Sequence, residues 1–414
     1  MYKQLRIYCL ITAILGASVF AAKIEALCDM SPQVQDLANV GEQDPNVPPE
    51  VLAEGVIAVE AAAPMVSVMS AATEVPEFKY RLIYRATELI DGESWKLYQQ
   101  FFVSDPNHPE REPDAAFLRE QLAVPLNEMD IEKVATHLEA CAGKLDLLEQ
   151  AVRCRTIVWP QFQKYRLSSS RWETSFDYNS PIVPENLVLK IEDIPTLLKQ
   201  LDAAGLLFAA KARYHVARGE YEQACRWLRA GLTQARQMTS NTHAMLAMAG
   251  AANVGRVLGQ IEAWIQKPGS PSLFRSLGDL PRPLVAFTTI DESKQSGEIG
   301  SSDKLDYQPE ILAQSPLMVR NIERLAAALQ CVEAIRLHAA LYEGRIPESL
   351  TEITDVRVPL DPVTRQPFIY ERRDEVFTLF SEDKDNGRRV EIEYRVIRTP
   401  QPDQFGMPGM PMFY

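Results

Sequence analysis

Apolar side chains recurring at alternating intervals of three and four residues constrain this chain more than any other feature. Between residues 130 and 153, Ile131, Val134, Leu138, Cys141, Leu145, Leu148 and Val152 follow that spacing. An α-helix turns once every 3.6 residues, so all seven fall on one stripe, whereas a strand would alternate in twos. The spacing predicts one amphipathic helix over 130–153. Asp130 suits its N-cap and Glu132 its first turn. The stripe is about three heptads long, and packing inside a bundle is its expected use.

The same period returns three times in the middle of the chain. A helix from Pro195 to Arg218 carries Leu198, Leu201, Gly205, Phe208, Ala212 and His215 on one stripe, and Gly219 interrupts it. The next carries Tyr221, Ala224, Leu228, Gly231 and Ala235. Over 242–266, Ala247, Ala251, Gly255 and Gly259 recur every four residues. Small residues at that spacing predict a groove where another backbone comes close. Asn253, Arg256, Gln260 and Glu262 make a membrane-spanning use of the stripe untenable.

Residues 268–316 break the pattern with Pro268-Gly269, Pro281-Arg-Pro283 and a Ser/Gly-rich run from Ser293 to Ser302. They read as a long mobile loop. A helix resumes over 318–343 and is closed by Gly344. After it the period changes to two. Phe368–Tyr370, Val376–Phe380 and Val390–Ile397 read as three strands. The fold class is therefore mainly α, a helical bundle or repeat-like helical hairpins, with a small C-terminal antiparallel β element. Its expected organisation is a linker over 28–75, a helical domain over 76–345, the β element over 346–398 and a disordered tail over 399–414. Within the linker, 51–72 is rich in Ala and Val but broken by Glu54, Glu60 and Pro64, and reads as a loosely packed helix.

Length and charge narrow the function. The chain has 414 residues and a formal net charge of -13. Its length fits two or three domains at about 150 residues each. An acidic surface repels phosphate backbones, so generic nucleic-acid binding is not expected. Lys3 and Arg6 precede an uncharged run from Ile7 to Ala22 that ends in small residues, with Val19-Phe20-Ala21 as a cleavage triplet. Residues 1–27 thus read as a secretory signal peptide, with a signal anchor as the alternative. The run falls short of the roughly 20 residues a spanning helix needs. Contact with membrane is expected only through this segment. Of the six cysteines, Cys9 lies in that segment and none forms a C-x-x-C pair. Cys141, Cys225 and Cys331 fit small core residues, and a Cys141–Cys154 disulfide is open in an oxidising compartment.

Two segments resemble known families. Gly219, Tyr221, Ala224 and Leu228, with Phe208 before them, resemble half of a tetratricopeptide repeat. Lys211 and the lack of a closing proline depart from that family. One copy cannot stack into a solenoid, so a hairpin inside a bundle is implied. Residues 332–383 resemble the end of a major type II secretion pseudopilin. The likeness rests on Gly344-Arg-Ile-Pro347-Glu-Ser-Leu350, Pro359-Leu-Asp361-Pro362, Pro367-Phe-Ile-Tyr370 and Phe377-Thr-Leu-Phe-Ser381. With a signal sequence in front and a helical body between, the layout is similar to a broad family of uncharacterised exported bacterial proteins. That resemblance implies architecture and no activity. Gly16 lies inside the apolar run and no glutamate accompanies it, unlike a pseudopilin. The family's calcium loop would fall at Ser381 to Gly387. Asp383 and Asp385 are possible ligands there, but they supply few of the six to eight oxygens calcium needs.

No catalytic, cofactor or metal residue is expected. His108, His137, His215, His243 and His338 form no H-E-x-x-H, and no two share the i, i+4 spacing of a zinc site. There is no G-x-S-x-G, P-loop or G-x-G-x-x-G. The expected function is an exported binding or scaffold protein of the cell envelope, without catalysis and with a protein partner. The alternatives are a hydrolase or lyase of unfamiliar helical type, with His137, His215 or His338 meeting carboxylates in a deep pocket, and a component related to the secretion apparatus.

Overall fold

A computed structural model describes residues 65–67, 79–103, 107–108, 111–156, 161–162, 166–168, 171–173, 188–189, 194–239, 244–285, 308–374, 376–383 and 388–397. The signal segment, most of the linker, His243, Asp385 and the tail lie outside these residues.

The described chain is mainly helical with a small C-terminal sheet. Helices α1 (Ser94–Phe102), α2 (Ala115–Ala123), α3 (Ile131–Ala140) and α4 (Ala142–Arg153) form the first part. The 130–153 segment is thus two helices rather than one. Cys141 leaves helical geometry at φ -87° and ψ 7°. Its neighbour Gly143 is a poor helix former, which weakens the junction. Keeping the stripe in register while turning lets α3 pack on α5 (Ile194–Arg218) and α4 on α1. Asp130 caps α3 by accepting from the Lys133 amide at 3.1 Å.

Helix α5 turns at Gly219, whose φ of +73° suits glycine, into α6 (Tyr221–Thr239). Helix α7 (Ala244–Gln266) packs on both. The three meet through glycines, but not those of the Ala247–Gly259 stripe. A Cβ at Gly255 or Gly259 would touch nothing within 4 Å. The close approaches are at Gly205, where a Cβ would run into the Asn253 side chain of α7, at Gly250, where it would stand 2.7 Å from the Ala235 carbonyl, and at Gly231, 2.9 Å from Val257.

Residues 268–285 are packed rather than mobile. Trp264 is fully buried and donates to the Pro271 carbonyl at 2.8 Å. Helix α8 (Phe274–Gly278) follows, with Leu273, Leu277, Leu280 and Leu284 buried. Two acids and an arginine of α9 (Gln308–Leu341) hold this stretch. Arg336 donates to the Ser270 carbonyl at 2.9 Å, Glu333 accepts from Ser272 at 2.8 Å, and Glu323 accepts from Arg282 at 2.5 Å and from the Leu284 amide. Proline and glycine broke the periodicity, but long-range polar contacts replace it. Helix α9 also starts ten residues earlier than the periodicity placed it, and 286–307 lies outside the described residues.

Among the described residues the C-terminal sheet has four strands, β1 (Met65–Ser67), β2 (Ile369–Arg373), β3 (Val376–Asp383) and β4 (Arg388–Ile397). The last three run antiparallel. β1 joins the free edge of β4 in parallel, Val66 opposite Val396. The loosely packed helix read over 51–72 is therefore a strand at this point. Pro64 breaks a helix at its start, and an open edge of unpaired amides and carbonyls recruits the short apolar run after it. Asp383 ends β3.

Asp361 joins this sheet to the body. It is 1% exposed and accepts from Val363 N at 2.8 Å, Thr364 Oγ1 at 3.1 Å and the Ser381 hydroxyl of β3. The buried guanidinium of Arg324, on α9, lies 3.3 Å away. Burial alone would push the Asp361 carboxyl up, but these hydrogen bonds and the nearby cation outweigh it and hold it below its usual value.

Candidate functional site

The histidines do not converge. The ring of His137 accepts from the Asp114 amide at 3.2 Å, and burial lowers its proton affinity. Cys141 Sγ lies 3.9 Å from it, but that thiol is directed to the Arg111 carbonyl and burial pushes it up to about 11. A nucleophilic thiol needs the opposite shift. Cys141 and Cys154 are both buried and free, so the disulfide left open by the sequence does not form; Cys154 faces the Gln150 carbonyl instead. His215 Nδ1 is 2.7 Å from Glu220, which also pairs with Arg218, and this cluster fastens the α5–α6 turn. His338 is buried against Tyr342, with Asp355 3.8 Å away. Among the described residues no group of three His, Cys, Asp or Glu is placed to hold a metal ion.

A different feature marks a site. A cavity of about 200 Å3 lies between the segment before α1 and helices α6 and α7. Four parts of the chain build it. Leu82, Ile83, Tyr84 and Leu89 form one wall, Leu232, Thr233 and Arg236 of α6 a second, Val254 of α7 a third, and Leu280 and Leu284 the floor. The first wall has little regular structure of its own, so side chains hold it. Cys225 Sγ donates to the Arg81 carbonyl at 3.1 Å, Ser276 to the Tyr80 carbonyl, and Arg153 Nε to the Glu88 carbonyl at 3.0 Å. Arg229 pairs with Glu88 at 2.9 Å and lies over the Tyr84 ring, 4.4 Å from its centroid.

Three polar side chains interrupt the apolar lining. Thr233 is committed, its hydroxyl donating to the Arg229 carbonyl at 2.8 Å. The Tyr84 hydroxyl is buried without a hydrogen-bond partner among the described residues and does not open onto the cavity. Burial pushes it up to about 12, although Arg229 acts against this. Arg236 is the exposed member of the lining, and burial of its inner part lowers its proton affinity. No carboxylate lines the cavity. The arrangement can shelter hydrocarbon and donate hydrogen bonds, but it contains no acid–base pair. Nothing in the sequence pattern singled it out: Arg236 is one of three arginines on α6, and Tyr84 lies outside every periodic stretch.

Comparison with protein-family models, with curated proteins and with solved structures finds no match.

Proposed function

We propose that this chain is an exported, non-catalytic binding protein of the bacterial cell envelope. The observation that carries the reading is the cavity between the 82–89 segment, α6 and α7, whose mainly apolar lining holds one guanidinium, that of Arg236, with no acceptor among the described residues. Export is supported by the basic start and uncharged run of residues 3–22. Among the described residues no helix is long and apolar enough to cross a membrane. Thermal melting of the full chain with a mixed fragment set tests binding. Some fragments should raise the melting temperature, and Thr233→Trp, which fills the cavity, should cancel the gain. A set without any cavity-dependent stabiliser overturns the reading. Cell fractionation tests export, and a purely cytoplasmic chain overturns that part.

The C-terminal element favours a second reading, a component related to the secretion apparatus. Its support is the contact between Asp361 and Ser381, which unites two of the motifs that resemble a pseudopilin. Calcium-dependent melting would support it, and an unchanged melting temperature with chelator would remove it.

A further inference from the structure

The cavity's polar groups point to the chemistry of its ligand, an inference that rests on the binding reading above. Helix α6 carries three arginines. Arg226 is paired with Glu149, Nε to Oε1 at 2.5 Å, and Arg229 with Glu88 at 2.9 Å. Arg236 has no carboxylate or hydrogen-bond acceptor among the described residues, and it is the one that lines the cavity. A guanidinium lying partly against an apolar wall loses hydration, which an anion restores through two parallel hydrogen bonds. The Tyr84 ring adds to the apolar wall, since its hydroxyl is shut off from the open space.

Other ligand classes fit less well. A cation would meet Arg236 and no acid. A phosphate dianion would face one guanidinium and walls of leucine, isoleucine and valine. A neutral hydrocarbon would leave the guanidinium against the apolar wall unanswered. We infer that the cavity binds a small apolar carboxylate, held by Arg236, with its hydrocarbon against Leu82, Leu232, Leu280 and Leu284. A dry cavity of about 150 Å3 admits a benzene ring. The volume here, about 200 Å3, suits a ring with a short acid chain.

Calorimetric titration of the full chain with 3-phenylpropionate, its neutral isostere 3-phenylpropionamide and 3-phenylpropylamine tests this. The acid should bind about tenfold or more tighter than the amide, because hydrogen bonds to charged groups are the stronger kind. The amine should not bind. Arg236→Gln should bring the acid down to the affinity of the amide and leave the amide unchanged, and Thr233→Trp should abolish both. Since Arg236 is exposed and unpaired among the described residues, its variant should keep the wild-type melting temperature. Equal affinities for acid and amide, or a preference that survives Arg236→Gln, overturn the inference while a cavity for neutral ligands stands. Acid binding that survives Thr233→Trp places the ligand elsewhere and overturns it too. No binding by any of the three also overturns it, and the binding reading falls with it only if the mixed fragment set fails as well.

Discussion

Charged side chains are used in opposite ways at the sheet junction and at the cavity. At the junction, Asp361 faces Arg324, Ser381, Thr364 and a backbone amide, so its charge is matched from several sides. At the cavity, Arg236 lies against leucines with no acceptor among the described residues. Matched groups hold a fold together. Unmatched ones leave interaction energy available to something outside the chain.

The largest expected effect breaks the matched side of this contrast. Asp361→Ala takes a charge partner from the fully buried Arg324, which should cost about 3–5 kcal/mol, the range for breaking a buried pair. Urea unfolding followed by circular dichroism measures it. A loss under about 1 kcal/mol would show that the junction is not held by this charge. The pH dependence follows from the same contacts. The folded carboxyl lies below its unfolded value of about 3.9, so its stabilisation is complete above that value and fades as pH falls through the folded one. Asp361→Asn should therefore flatten the fall in stability below about pH 4.

How far the sequence revealed each region differs for a physical reason. Stripes such as Val134, Leu138, Leu145 and Leu148 are buried where their period put them, because a helix converts spacing directly into a face. The strands after Gly344 were readable on the same grounds. The packing of 268–285 was not, since Ser270 and Arg336 are 66 residues apart and no local pattern joins them. The Cys141 turn was hidden by a stripe that stays in register through it. The cavity was least legible. Its residues come from four parts of the chain, and what marks Arg236 is the absence of a partner, which spacing does not encode.

The second effect concerns how closely α6 and α7 approach beside the cavity. Gly250→Ala would press a methyl against the Ala235 carbonyl, Thr239 and Met238, and should cost about 1–3 kcal/mol as overpacking. Gly259→Ala meets open space in a helix interior and should stabilise by about 0.5–1 kcal/mol, since alanine orders at lower entropic cost. Opposite signs for two glycines on one helix would fix which face of α7 is packed. Equal signs in thermal melting would contradict the register described here.

The smallest effect sharpens the unmatched side. Without ligand, Arg236→Gln should change unfolding free energy by no more than about 0.5 kcal/mol, because no partner is lost and the side chain is partly in water. Arg256, on α7, makes the internal control. It donates to Asp202 at 2.6 Å and is nearly excluded from solvent, so Arg256→Gln should destabilise by several kcal/mol, approaching the cost of breaking a buried pair. Two arginines on neighbouring helices, replaced by the same residue, would then differ through their partners and their burial. If Arg236→Gln proved as damaging as Arg256→Gln, its guanidinium would already be engaged within the fold, and the cavity would lose the free donor that distinguishes it from ordinary packing.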